Sequence, residues 1–498
     1  MRIKHLTTPL LVSSLTLLPH SLSAAPPTQT QNSDKPNIIF ILADDMGYMD
    51  PAYNGHPFFE TPNIDKLASD GMIFTDAYSC GPNSAPTRAS FITGTYTPRH
   101  QIYTPSARSK GQLEYMRLAV PNREDKSSNY NTVIAQTELP QDTQSIATIL
   151  NSAGYTTARF GKWHLGPHTL DFDISSTSDQ PDDTAKHYGE INIAEKLTDR
   201  SIQFINNHKD DPFFLFLSHF DVHTPIKAKP EVIEYFDNKQ KKNNTNYDTT
   251  YAAMIHAVDQ SVGRIRTELE KLNLDDNTII IFSSDNGGVP KVTSMEPLRS
   301  AKGSLFEGGV RVPTIIHYPN ITKPNSTCDT PINSVDFLPT FADIANTSIP
   351  SNHTIDGISI LPLLNNQSIP DRPIFWHYPL YLSGSAKIRN LPVYSTDKIY
   401  WRGVPAAAIR FDDYKLIRYF EDNSTKLYNL KTDISETIDL SSSNPTKHDQ
   451  LLTLLNNWLA QTNAPIPSKL NPAFDPNAPV DRASKNNNNS RSKRNRKQ

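Results

Sequence analysis

The chain has 498 residues, enough to bury a large core and to hold two packed units. Its net charge of −3 offers no global field for nucleic acid, and no later stretch supplies the ~20 apolar positions of a membrane span. Two cysteines, Cys80 and Cys328, exclude a disulfide framework and a cysteine-based metal site, and leave open one bridge or two free thiols.

Residues 1–25 read as a secretory signal peptide. Arg2 and Lys4 form its basic region, residues 9–18 a modest apolar stretch, and Ser21-Leu22-Ser23-Ala24-Ala25 a small-residue exit. Residues 34–370 then alternate between strand and helix patterns. Ile38-Ile39-Phe40-Ile41-Leu42 is a continuous apolar run, the mark of a strand buried on both faces. Residues 142–153 place Ile146, Ile149 and Leu150 on one helical face, and Gly154 ends that helix. Phe213-Phe214-Leu215-Phe216-Leu217 is a second buried strand and Thr278-Ile279-Ile280-Ile281-Phe282 a third. Between these two, Tyr251, Met254, Ile255, Val258, Val262, Ile265 and Leu269 recur at helical spacing. The expected class is α/β, a large mostly parallel sheet with helices on both faces. Residues 371–460 change character. Short alternating segments at 408–410, 414–419 and 426–430, then a helix around Leu451, Leu454, Leu455 and Trp458, predict a smaller C-terminal subdomain with an antiparallel sheet and helix. Residues 461–498 form a Pro/Asn-rich and then basic tail that reads as disordered.

In a parallel sheet, ligands bind beyond the carboxyl ends of the strands. Asp44-Asp45 follows the first apolar run, and Ser283-Ser284-Asp285-Asn286-Gly287-Gly288 follows the third. Asp44, Asp45, Asp285 and Asn286 together make a hard oxygen site suited to Ca²⁺, with Mg²⁺ second. No Cys or His adjoins either pair, which argues against zinc. One pair alone is what many strands use to enter a turn; the paired occurrence after matching strands points to a metal. Gly161-Lys162-Trp163-His164, then His219 and His223-Thr224-Pro225, bring basic groups to two further strand ends. A single such histidine is ordinarily structural. With Arg88 and Lys302 the group makes an anion site for sulfate or phosphate oxygens.

Ser84-Ala85-Pro86-Thr87-Arg88, followed by Ala89-Ser90-Phe91-Ile92-Thr93-Gly94, resembles the signature of the type I, formylglycine-dependent sulfatases of the alkaline phosphatase superfamily. In that signature a Cys or Ser opening Cys/Ser-x-Pro-x-Arg is oxidised to formylglycine. Thr61-Pro62-Asn63-Ile64-Asp65-Lys66-Leu67-Ala68 resembles a further family segment. So do Gly161 through Gly166, Phe282 through Gly287, Lys302 through Pro313, Tyr414-Lys415-Leu416-Ile417 and Leu427-Tyr428-Asn429-Leu430. Cys80 is a decoy, because Ser84 stands where its signature needs Arg. Thr87 departs conservatively from the more usual Ser.

The resemblance implies an alkaline-phosphatase-like fold and hydrolysis of a sulfate ester, with Ser84, modified to formylglycine (3-oxoalanine), as nucleophile. It implies that Asp44, Asp45, Asp285 and Asn286 hold one divalent ion and that Lys162 and Arg88 stabilise the sulfuryl oxygens. His223 and Lys302 would protonate the leaving oxygen, and His164 would deprotonate the second hydroxyl. A serine at that position implies a radical-type sulfatase-maturating enzyme as partner, a bacterial source and, with the leader, a secreted or periplasmic location. The Ser-type pattern resembles bacterial carbohydrate sulfatases, so the expected substrate is a sulfated carbohydrate. His100 and His377 are expected to reach it; for Trp376 and Tyr378 a place in the core at the domain junction competes with a place in the pocket. On the same scaffold an unmodified Ser84 would make a phosphatase or phosphodiesterase. A non-catalytic polyanion-binding protein is a further alternative, although no site residue is missing.

Overall fold

In the computed structural model of the chain, the described residues are 35–123, 125, 132–175, 187–290, 292–383 and 401–478. The leader at 1–25 and residues 479–498 of the tail lie outside them; residues 461–478 are ordered, with the Lys469 carbonyl accepting from Ala119 and Asn471 N–H donating to Arg117, so the expectation of a disordered tail is corrected there.

The apolar runs form the middle of an eight-stranded sheet. Its order is Ile174–Ser175, Thr156–Gly161, Phe213–Ser218, Asn37–Ala43, Thr278–Ser284, Thr314–His317, Met72–Phe74 and Ser326–Cys328. The first five strands are parallel, and Thr314–His317 runs against both of its neighbours. Alternation along each strand sorts side chains into two layers. Ile38, Phe40 and Leu42 join Phe214, Phe216, Ile279 and Ile281 on one face, under helices Ser84–Thr93, Ile146–Ser152 and Phe337–Ile344. Ile39, Ile41 and Ala43 join Leu215, Leu217, Ile280 and Phe282 on the other, under Pro62–Asp70, Ile193–Asn207 and Thr249–Lys271. Both faces are covered, so these strands carry no polar alternation. The helix expected over 142–153 is shorter. Ser145 accepts the Thr148 N–H at 3.1 Å and Thr148 accepts the Ser145 N–H at 3.2 Å. That capping box starts the helix at Ile146, downstream of Asp142.

The second unit is a four-stranded antiparallel sheet in the order Ile374–Tyr378, Ala406–Phe411, Tyr414–Tyr419 and Thr425–Asn429. Helix Pro445–Gln461 buries Leu451, Leu455, Trp458 and Leu459 against it. Trp376 belongs to this core: it is 0% exposed, and its indole N–H donates to the Ser79 carbonyl at 2.8 Å. Tyr378 is buried beside it. The core reading therefore holds for both. Cys80 and Cys328 are free thiols. Among the described residues no helix is long and apolar enough to cross a membrane.

Strand register brings the carboxyl ends of the central strands level. Ala43 pairs with Ser284, Leu42 with Ser218, and Gly161 with Ser218. The strands end in one row, and Asp44, Asp285, His219 and Lys162 leave it together.

Candidate active site

Backbone bonds carry the row one residue further. Asp285 N–H donates to the Ala43 carbonyl at 3.2 Å, Lys162 N–H to Ser218 at 2.9 Å, and Asp44 N–H to Asp221 at 3.0 Å. Gly161 enters this turn at φ 94°, where a Cβ would lie 1.9 Å from the Ser218 carbonyl oxygen, so no larger residue fits. Asp45 (φ 66°) and His164 (φ 63°) are left-handed without being glycine, a conformation that accumulates at functional sites.

Ser84 is the first residue of its helix and is 4% exposed. Asn83 is the N-cap, so the Ser84 hydroxyl is not spent on capping. It accepts from Lys162 Nζ at 2.9 Å and donates to Asp44 Oδ1 at 3.2 Å, with Asn286 Oδ1 at 3.4 Å. Lys162 Nζ also pairs with Asp44 Oδ2 and lies 3.8 Å from Asp285 Oδ2. Arg88, one turn along the helix, is fully buried. Its Nε and Nη2 donate to Asp285 Oδ2 at 3.1 and 2.8 Å, and its Nη1 to the Lys162 carbonyl at 3.0 Å and to the Ser218 hydroxyl. Every nitrogen of the fork is engaged by protein. The expected contact of Arg88 with sulfuryl oxygens is thus corrected: here it orients Asp285 and the Lys162 backbone.

Asp45 completes the cluster. Its N–H donates to Asp285 Oδ1 at 3.1 Å, and its Oδ1 accepts from Asn286 Nδ2 at 2.8 Å and from Lys302 Nζ. His223 Nε2 stands 3.6 Å from its Oδ2. The other ring nitrogen of His223 faces the Thr224 carbonyl, which only accepts, so Nδ1 carries the hydrogen. His164 joins through a residue that sequence reasoning missed. Tyr188 places its hydroxyl 3.1 Å from His164 Nε2, its ring 4.6 Å from the His223 ring, and its face 5.5 Å from Lys162 Nζ. His187-Tyr188-Gly189 carries no periodic or motif signal, and only the fold brings it here.

Burial dominates the electrostatics. It pushes the Asp44 carboxyl up, against the pull of Lys162. For Asp285 burial is outweighed by Arg88 and Lys162, and for Asp45 by Lys302 and His223, so both stay below the usual carboxylate range. Burial, reinforced by Lys162 and Arg88, holds the His164 imidazole neutral. Burial lowers His223 to about 4 against the Asp45 carboxylate, and His219, fully buried in the same row, also to about 4.

The donor set fits a divalent cation. Asp45 Oδ2 is buried and, among the described residues, has no hydrogen-bond partner. Leaving such an oxygen unpaired costs about 1–3 kcal/mol or more, which a cation beside it removes. Asp44, Asp45 and His223 can each place a ligand atom within 4.8 Å of the others. A histidine therefore reaches the acids, although none adjoins them in sequence.

Two expected residues are elsewhere. His100 ends the short helix Thr97–His100 that follows the Ser84 helix, its Nε2 3.0 Å from the Ser90 hydroxyl, and it lines a separate depression of about 900 Å³ with Thr93, Gln136 and His353. His377 is 1% exposed, with Nε2 on the Pro465 carbonyl at 3.1 Å and its ring against Tyr103 and Phe420. It sits inside the C-terminal sheet and faces no solvent, so its expected substrate contact is corrected.

Residues 36–347 match the family model described as Sulfatase, and residues 301–464 the one described as N-sulphoglucosamine sulphohydrolase, C-terminal. The chain belongs to the sulfatase family. A sulfatase of Formosa agariphila is 30% identical, over 90% of this chain and 93% of its own. The mouse N-acetylgalactosamine-6-sulfatase is 29% identical, over 69% of this chain and 68% of its own. The crystal structure of Ps i-CgsB in complex with k-i-k-neocarrahexaose superposes with a TM-score of 0.67 at 29% identity, covering 86% of this chain and 94% of that one. This sulfatase, like its family, hydrolyses sulfate esters.

Proposed function

We propose that the sulfatase acts on a sulfated carbohydrate, using a hydrated formylglycine made from Ser84 beside one Ca²⁺. The observation that carries this reading is the setting of the Ser84 oxygen, 2.9 Å from Lys162 Nζ and 3.2 Å from a carboxylate of the metal set. Relatives named for N-acetylgalactosamine 6-sulfate and for a complex with neocarrahexaose support a carbohydrate. Residues 34–370 act as the catalytic domain and 371–460 as a subdomain packed beside it. Residues 1–25 direct export to the periplasm or beyond, and a radical-type maturating enzyme oxidises Ser84.

Asp44, Asp45, Asp285 and Asn286 would hold the ion, which when bound supplies positive charge to the sulfuryl oxygens. Formylglycine supplies, as its hydrate, a pair of hydroxyls that no encoded side chain has. Lys162 keeps an ammonium on the nucleophilic oxygen and stabilises charge there. Lys302, held on Asp45, is the cationic donor for the leaving oxygen. His223 presents Nε2 to the same place because its Nδ1–H is tied to Thr224. His164, kept neutral, accepts the proton of the second hydroxyl.

Three measurements bear on this reading. The peptide containing Ser84, taken from the producing cell, should be lighter than its serine form by one hydrogen molecule. Unmodified serine in material that still turns over an ester would overturn the formylglycine assignment. Dialysis against a chelator is expected to abolish turnover and to lower Tm by roughly 2–4 °C, with Ca²⁺ restoring both better than Mg²⁺. An unmoved Tm would count against a resident ion. Tyr188→Phe removes the bond to His164 and should lower kcat about tenfold with KM nearly unchanged, a fraction of what general base catalysis contributes. Wild-type kcat in that variant would remove Tyr188 from the machinery.

A further inference from the structure

We propose that the rim beside Lys302 is a second anion subsite, built from Lys110, Arg123 and Arg402, that takes a further sulfate or carboxylate of the substrate. It rests on the sulfated-carbohydrate reading and narrows it to polyanionic chains.

Three distant segments meet at this rim. Ser383 ties two of them: its N–H donates to the Lys110 carbonyl at 2.8 Å, and its carbonyl accepts from Arg402 Nε at 3.2 Å. Lys110 N–H donates to Tyr381 at 3.0 Å. Gly303, next to Lys302, completes the join. Its N–H donates to the Pro82 carbonyl at 2.9 Å, two residues before Ser84, and a Cβ on it would lie 3.3 Å from that of Arg402. The rim therefore abuts the approach to the nucleophile.

Among the described residues its charges are mostly of one sign. Burial, and repulsion from Arg123, Arg402 and Lys302, push the Lys110 ammonium below its ordinary range. The Arg402 guanidinium, itself lowered by burial, feels the Asp45 carboxylate, which places it within electrostatic reach of the reacting centre. Among the described residues the side chains of Lys110 and Arg123 have no hydrogen-bond or ion-pair partner, and Arg402 has only the Ser383 carbonyl. Elsewhere partly buried lysines are paired, as Lys239 is with Glu60 and Lys229 with Glu195. Lys110 and Arg402 are partly buried and, among the described residues, have no acid bonded to their side chains; such like charges are unfavourable by themselves and are relieved by an anion. The scissile sulfate already has Lys162 and Lys302, so this cluster serves a different group. A guanidinium fork and an ammonium match the several oxygens of sulfate or carboxylate.

Binding in Ser84→Ala protein separates this subsite from turnover. The probes are dextran sulfate oligosaccharides of high and low sulfation and carboxymethyl dextran, measured by calorimetry. Adding Lys110→Ala and Arg402→Ala should weaken the highly sulfated probe at least tenfold and the sparsely sulfated one less than twofold. Lys110→Arg with Arg402→Lys should keep affinity within threefold, which excludes a folding defect. Exposed Lys209→Ala should change nothing. Undiminished binding of the highly sulfated probe by the alanine variant, or an equal loss with Lys209→Ala, overturns the subsite. A tenfold loss shared by carboxymethyl dextran assigns the subsite to either anion; a loss confined to dextran sulfate assigns it to sulfate. Sulfate release from a monosulfated sugar by the unsubstituted enzyme is read separately, so a failed carbohydrate reading is distinguishable from a failed subsite.

Discussion

Ser84→Ala is expected to lower kcat at least ~10⁴-fold, the scale on which removal of a covalent nucleophile is felt. The alanine keeps the helix start, since Asn83 and not Ser84 is the cap. It also leaves Lys162 on Asp44 and Arg88 on Asp285, so the buried charges stay paired. Tm should therefore move little while activity disappears. The two readouts together are the test, a sulfate-release assay and a thermal melt on the same preparation. Near-native turnover would remove residue 84 from the chemistry, and a collapse in Tm would make the loss of activity uninformative about mechanism.

Lys415→Met is expected to cost the fold about 3–5 kcal/mol, the range for breaking a buried pair by removing one partner. Lys415 is 0% exposed, and its Nζ lies 2.8 Å from Glu307 Oε1 and 3.2 Å from Glu436 Oε1. Glu307 accepts from Tyr78 at 2.8 Å and pairs with Arg311 at 3.4 Å, and its N–H donates to Glu436 Oε2 at 2.7 Å. One ammonium on the C-terminal sheet thus neutralises acids that brace the segment after Lys302. Burial alone would raise both acids. Lys415 and Arg311 outweigh it at Glu307, which falls to about 2, but Lys415 does not at Glu436, which rises to about 7. Without Lys415 both rise. A carboxyl whose folded pKa is raised gives stability that is present below its unfolded pKa of about 4.3 and lost as pH climbs through the folded value. The deficit of the variant should therefore be small near pH 4 and largest above pH 7. Urea unfolding at the two pH values checks it, and equal deficits would mean that Lys415 acts through its aliphatic stem alone.

The three apolar runs, and the acids that follow the first and the third, were legible because a strand covered on both faces carries few polar residues until it stops. Asp44 and Asp285 thus mark strand ends in one dimension and neighbours in three. The antiparallel unit was legible in part. Trp376 and His377 alternate along a strand, and alternation reads the same whether a side chain enters a pocket or a core, so the sequence alone does not separate a substrate contact of His377 from its place in the core. Arg88 was legible as a site residue but not in its partners, because a motif does not say which carboxylate takes the guanidinium. Tyr188, Lys110 and Arg402 left no local trace. Each depends for its position on bonds or ring contacts outside its own segment, such as Tyr381 for Lys110.

Ser84 and Asn286, which share the site, are 202 residues apart. At ribosomal speeds of roughly 5–20 residues per second, the serine exists about 10–40 s before the asparagine is made. For that interval the pocket lacks a wall, and residues 84–88 stay accessible. In the finished fold the serine is 4% exposed, too little for another enzyme to grip. Oxidation of Ser84, as proposed above, would then compete with a clock set by translation. On that proposal, a chain refolded from denaturant, with every wall present from the first instant, would offer a modifying enzyme a far shorter opportunity than one leaving the ribosome.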